Sequence, residues 1–117
     1  MQNKHARVVL ITGANQGIGF AVAQQQARFV GFSRVLAGEL GEYGFTVNCV
    51  APGRIKTAMA ATFANQDQVD QQYIARTPLR RVGRTADVVG AVTFLASGAA
   101  SFVTGSVIDV SGGFFIP

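Results

Sequence analysis

The sequence predicts an α/β fold built on a three-stranded parallel sheet, in the order β-α-β-lid-α-β, and three observations predict it. Val8-Val9-Leu10-Ile11 is a continuous, β-branched apolar run ended by Thr12-Gly13, the pattern of a parallel strand buried on both faces. The stretch from Gly17 to Glu42 holds no proline and repeats apolar residues at helical spacing, and two further strand-like runs follow it. The connections between successive strands are long enough for the crossovers that parallel strands require.

The first helix is expected over Gly17 to Glu42, with Ile18, Val22, Phe29, Phe32, Leu36 and Leu40 on its apolar seam and Gln25 as a polar gap in it. At 1.5 Å per residue it would run about 39 Å, whereas a five-residue strand covers about 17 Å. Either it breaks near Gln25 to Gly31, or its excess packs on another subunit. Gly41 and Gly44 supply helix-stop chemistry before the second strand, Phe45-Thr46-Val47-Asn48-Cys49-Val50, which ends in the turn Ala51-Pro52-Gly53. Residues 54–84, with the Gln-rich stretch Asn65 to Gln72, have mixed polarity and suggest one or two short helices rather than a strand, an excursion of the kind that forms a lid. Thr85 is the expected N-cap of the last helix, with Asp87 in its first turn, Val88, Val92 and Leu95 on one face, and Gly98 at its stop. Ser106-Val107-Ile108-Asp109-Val110 is the final strand. With right-handed crossovers and strands in sequential order, both helices fall on one face of the sheet. The other apolar face then needs cover, which predicts an obligate homo-oligomer, a dimer or tetramer.

At 117 residues the chain is sized for one domain, residues 1–117. Hydrophobic residues make up 49% and charged residues 14%, which excludes a disordered tail. No run approaches the ~20 apolar residues that span a bilayer, so no membrane partner is expected and a cytoplasmic location is the simplest inference. Cys49 is the only cysteine; with no second thiol it reads as a small packed hydrophobe in its strand. His5 is the only histidine, so no metal site is expected. The net charge of +4 includes a cluster of Arg76, Arg80, Arg81 and Arg84. A solvated loop accounts for that cluster, and nucleic acid is the weakest of the partner classes it could serve.

The segment with chemistry is Thr12-Gly13-Ala14-Asn15-Gln16-Gly17-Ile18-Gly19, between the first strand and the first helix. There glycines permit a tight turn and backbone N–H groups can face a pyrophosphate. The pattern Thr-Gly-x-x-x-Gly-Ile-Gly resembles the nucleotide motif of the short-chain dehydrogenase/reductase family, and residues 1–22 match it as the nucleotide-motif half. The resemblance resumes over residues 29–117. Gly31-Phe32-Ser33-Arg34-Val35-Leu36-Ala37-Gly38-Glu39-Leu40 looks like the helix that follows the family's catalytic Tyr and Lys. Thr46 to Gly53 looks like the next strand and its cofactor turn, Gly83 to Val89 like the start of the last helix, and Thr104 to Gly113 like the last strand. The chain is similar in pattern to 3-oxoacyl-ACP reductase-like members, and the resemblance implies a truncated Rossmann-like fold.

Between the two halves the family has a second strand, an Asn-Asn-Ala-Gly segment, a catalytic Ser and Tyr-x-x-x-Lys, and this chain crosses all of that within Ala23 to Arg28. Its tyrosines are Tyr43 and Tyr73, followed four residues on by Val47 and Thr77, and its lysines are Lys4 and Lys56, so no Tyr-x-x-x-Lys exists. In the family that pair supplies the proton for carbonyl reduction, and acid–base help of this kind is worth roughly 10²–10⁴-fold. No catalytic residues are therefore expected here. By resemblance, Gly13, Asn15, Gln16, Gly17, Ile18 and Gly19 would meet the ribose and pyrophosphate of a dinucleotide. Pro52, Gly53, Ile55 and Thr57 would sit by its nicotinamide and phosphates. Loss of the intervening strands should change the spacing of these two halves. The resemblance thus implies an oxidoreductase lineage with weak binding of NAD or NADP, the preference being unreadable without the family's second strand. The alternatives are a non-catalytic self-assembling or subunit-interaction module, and an NAD(P)-dependent oxidoreductase acting on a carbonyl or alcohol.

Overall fold

The computed structural model describes residues 7–12, 20–58, 60–62 and 64–116. Three parallel strands form the sheet in sequential order: β1 (Arg7–Thr12), β2 (Phe45–Pro52) and β5 (Val107–Val110). Register runs from Arg7 beside Phe45 to Thr12 beside Val50, and from Cys49 beside Val107 to Pro52 beside Val110. The predicted three-stranded parallel sheet is therefore the one observed, with β2 at its centre.

The first helix, α1 (Phe20–Leu40), is 21 residues long and unbroken, about 31 Å by its rise per residue. It does not kink near Gln25 to Gly31. A 3₁₀ turn over Gly41–Tyr43 ends it, and Gly44, at φ 80°, supplies the left-handed residue that closes the turn through its N–H to the Gly41 carbonyl. Ser33 and Ala37 are buried against the sheet, whereas Phe32 and Val35 are 58% and 59% exposed. Phe32 thus leaves the seam on which the apolar pattern placed it: the helix is rotated so that Phe29, Ser33, Leu36, Ala37 and Leu40 face inward.

The second expectation that fails concerns the faces of the sheet. Side chains alternate along a strand, and β2 presents them to different helices. Cys49 meets α1, its thiol donating to Ser33 Oγ at 3.1 Å. Val50, the next residue, is buried with Leu95 of α3 (Thr85–Ala96) and with Ala100, and Ile108, Val110 and Val103 pack around them. The two helices therefore lie on opposite faces rather than one. Strands that advance in one direction with helices on opposite faces have crossovers of opposite hand, so one of the two departs from the right-handed rule. Residues 53–84 separate β2 from α3, a span long enough to carry the chain around the sheet end. Both faces of β2 are covered in consequence, and Val47 to Cys49 and Val50 are all buried.

Asn48 is wholly buried in that strand, yet satisfied. Its Nδ2 donates to the Val103 carbonyl at 3.0 Å, and its Oδ1 accepts from the Ser106 N–H at 3.1 Å. One side chain thus fixes the turn that leads into β5.

The lid contains a 3₁₀ turn, Ala60–Thr62, and α2 (Gln66–Arg76), as the composition predicts. It also contains strands that were not expected: β3 (Ile55–Lys56) and β4 (Gly83–Arg84) pair in parallel and close its base. Two-residue strands are too short to leave an alternating pattern in sequence. The N-cap of α3 is Arg84, not Thr85. Asp87 nevertheless serves the helix start, accepting the Arg84 backbone N–H at 2.7 Å.

Candidate functional site

The carboxyl ends of β2 and β5 carry the described part of the predicted site. Pro52 is the last residue of β2, opposite Val110, and the Gly53 N–H donates to the Val110 carbonyl at 2.9 Å. Gly53 then passes so close to the neighbouring chain that a Cβ there would stand 2.8 Å from Cα and Cβ of Ser111. Glycine is required here by close approach, not by φ. Ile55 enters β3 beside Gly83, and the Thr57 carbonyl accepts the Ala61 N–H at 3.1 Å. All four residues are half-buried. Gly13, Asn15, Gln16, Gly17, Ile18 and Gly19 lie outside the described residues. What can be placed is the strand before them, since β1 ends at Thr12 directly beside Val50, two positions short of Pro52. The strands that lead into the two halves, whose spacing was expected to change with the missing strands, are therefore immediate neighbours at this end of the sheet.

Two clefts open beside the turn. One, of about 500 Å³, lies between Arg54, Leu79, Arg81, Asp109, Ser111 and Gly112. The other, of about 510 Å³, lies between Arg54, Ile55 and Lys56 on one side and Asn65 to Asp70 at the start of α2 on the other. Arg54 separates them. Its Nε donates to Asp70 Oδ1 at 2.9 Å, a second guanidinium nitrogen donates to Gln66 Oε1, and the guanidinium sits 5.8 Å from the Tyr73 ring centroid. Sequence inspection missed Arg54, although it stands between two singled-out residues, because its carboxylate partner is 16 positions away. Ser111 was missed as well: its Oγ is buried and has no hydrogen-bond partner among the described residues.

The arginine cluster is largely committed to this chain. Arg81 grips Asp87 with two nitrogens, at 2.8 and 3.0 Å, Arg76 lies 5.1 Å over the Phe114 ring, and Arg80 donates to the Ala75 carbonyl. The Arg81 hydrogen bonds, helped by the Arg84 backbone N–H, hold the Asp87 carboxyl well below the usual carboxylate range. The same pairing raises Arg81 above its ordinary value. The C-terminal tail holds α2: Tyr73 stacks on Phe114 with centroids 4.9 Å apart. No described helix is long and apolar enough to cross a membrane.

Comparison with known proteins places this arrangement. A family model described as enoyl-(acyl carrier protein) reductase matches residues 25–115. The chain is 40% identical over 118 residues to Nodulation protein G of Rhizobium sp. (strain N33), covering 97% of this chain and 47% of that protein. It is 38% identical over 122 residues to the 3-oxoacyl-[acyl-carrier-protein] reductase FabG of Escherichia coli, covering 99% and 48%. The chain thus spans about half the length of the curated relatives it matches. Among solved structures, the 3-oxoacyl-[acyl-carrier protein] reductase of Brucella melitensis superposes with a TM-score of 0.78 at 35% identity, over 94% of this chain and 42% of that one. A hydroxysteroid dehydrogenase of Escherichia coli superposes with a TM-score of 0.80 at 35% identity, over 91% and 44%. With matches of this extent, and with a truncated Rossmann-like sheet beneath them, the chain belongs to the short-chain dehydrogenase/reductase family.

Proposed function

We propose that this chain binds a nicotinamide dinucleotide, NAD(H) or NADP(H), weakly and transfers no hydride by itself. The observation that supports this most is the register of β1 and β2. The Gly13 to Gly19 motif and the Pro52 to Thr57 turn leave the same end of adjacent strands, the end at which open α/β sheets bind ligands. The clefts there are of a size that suits a small-molecule ligand, for which about 300–1,000 Å³ is typical. Lys56 on the rim of the second cleft offers a cation to a phosphate, while the Gly53 N–H, already given to Val110, would contribute by close approach rather than as a donor. A bound nicotinamide would supply hydride chemistry. What this chain lacks is the proton donor: neither tyrosine is followed four residues on by lysine, and acid–base help is worth roughly 10²–10⁴-fold.

A calorimetric titration with NADH and NADPH, repeated on Gly17→Asp, tests the proposal. Micromolar binding that the variant loses supports a working dinucleotide site, and no heat with either ligand refutes it. Turnover of a carbonyl panel at ordinary enzyme rates would instead support the active-oxidoreductase alternative.

A second function, self-assembly, is favoured by a specific observation. Phe32 and Val35 on α1, Val89 and Phe94 on α3, and Phe102 after it are exposed on a chain with few fully buried side chains among its described residues, and large apolar side chains exposed in this number are surface that association would cover. Sedimentation of the purified chain would detect a dimer or tetramer.

A further inference from the structure

An edge strand presents a row of unpaired N–H and C=O groups, and proteins guard such rows with charge, proline, a bulge or a covering element. The strand β1 stands at an edge. It pairs with β2 residue for residue from Arg7 to Thr12, with no bulge, and no strand lies on its other side among the described residues. Backbone groups alternate in direction along a strand, so every second residue of β1 turns its N–H and C=O away from β2. The run Val8-Val9-Leu10-Ile11 contains neither a charged residue nor a proline. At the opposite edge, β5 is four residues long and carries the exposed carboxylate of Asp109. One edge of the sheet is therefore guarded and the other is not.

We propose that the open edge of β1 pairs with β1 of a second copy, antiparallel, about a two-fold axis normal to the sheet at Leu10, so that two three-stranded sheets join into one. The proposal rests on the self-assembly function and names its surface. What the edge can take is an extended run of about its own length with an unpaired side, and β1 of another copy is such a run. The shorter, acid-bearing β5 is a poorer match. Pairing β1 with β5 of the next copy would also be head to tail and would not close, whereas two β1 edges consume one another and stop at a dimer. About an axis at Leu10, residues equidistant from it lie opposite one another: Leu10 by Leu10, Val9 by Ile11, and Val8 by Thr12. Arg7 falls outside the paired run. An axis at Val9 would set Arg7 opposite Ile11, and a parallel pairing would set Arg7 opposite Arg7, where like charges oppose each other.

Hydrogen exchange across a dilution series, with sedimentation of the same samples, tests the pairing on the parent chain. The β1 amides that point away from β2 should exchange about tenfold or more slowly in the dimer than in the monomer, while those of β5 keep one rate. Two variants then read the register. Leu10→Cys sets two thiols on the axis, where opposed Cα atoms of an antiparallel pair stand about 4.5–5.5 Å apart, within disulfide reach, and mild oxidation should give a covalent dimer. Arg7→Cys should not cross-link, because its two copies would then be about 20 Å apart; nor should the parent chain, whose Cys49 is buried. A dimer whose β1 amides exchange as fast as the monomer's overturns the edge pairing and leaves self-assembly standing. So does a folded, dimeric Leu10→Cys that fails to cross-link, or an Arg7→Cys chain that links as readily. A chain that stays monomeric refutes both readings. Circular dichroism checks that Leu10→Cys folds; if it does not, the exchange of the parent chain decides alone.

Discussion

A methyl group has no room at Gly53, because the atoms it would strike are the backbone and Cβ of Ser111 rather than the end of a flexible side chain. Gly53→Ala is expected to cost about 1–3 kcal/mol, the usual penalty for overpacking, read as a lower urea midpoint. Asp87 makes a prediction in pH. Its carboxyl is held below the ordinary range by Arg81 and by the Arg84 N–H, so its folded pKa is lower than its unfolded one. The stability it adds is therefore fully present above the unfolded value of about 3.9 and is lost as pH falls toward the folded value. Unfolding of Asp87→Asn should show a deficit against the parent at neutral pH that closes below about pH 4. The deficit should be small and salt-sensitive, because the pair is solvent-exposed. Residues of this kind differ in how far the sequence reveals them. The glycine and proline of the β2 turn are visible from their types alone. Arg54 with Asp70 and Asn48 with Val103 are not, because their partners lie 16 and 55 positions away and no local pattern joins them.

At the scale of elements, α2 has no buried residue and depends on side-chain contacts at its two ends. Arg54 ties its start through Asp70 and Gln66, and Phe114 ties its end by stacking between Tyr73 and Arg76. An aromatic pair of this sort is worth about 0.5–1.5 kcal/mol. Phe114→Ala should let the amides of α2 exchange with deuterium several-fold faster while those of β2 keep their protection, as hydrogen-exchange mass spectrometry would show. The order of the longer elements was legible because each is a sustained apolar run bounded by glycine or proline. The rotation of α1 was not: Phe32 fits the helical period, and only the placement of Ser33 and Ala37 against β2 shows that it faces out. The β3–β4 pair escaped because two residues carry no period.

For the whole molecule, the decisive departure is the face of the sheet on which α3 lies. The crossover rule predicts one covered face and one bare face, and the long excursion between β2 and α3 defeats it. The expectation of assembly loses that ground, and rests instead on the large apolar side chains left exposed on α1 and α3. If two copies pair there, folding is linked to association, and the thermal midpoint should rise with protein concentration in calorimetry. A midpoint independent of concentration would speak for a monomer that folds alone.

The contact between Cys49 and Ser33 has a practical corollary. The thiol sits beneath α1 and is 4% exposed, so a reagent such as iodoacetamide reaches it only when the helix lifts or the chain unfolds. Its alkylation rate in native buffer is then a built-in gauge of how often α1 leaves the sheet. Placed beside the denaturant midpoint, that rate should tell local opening from global unfolding without any introduced label.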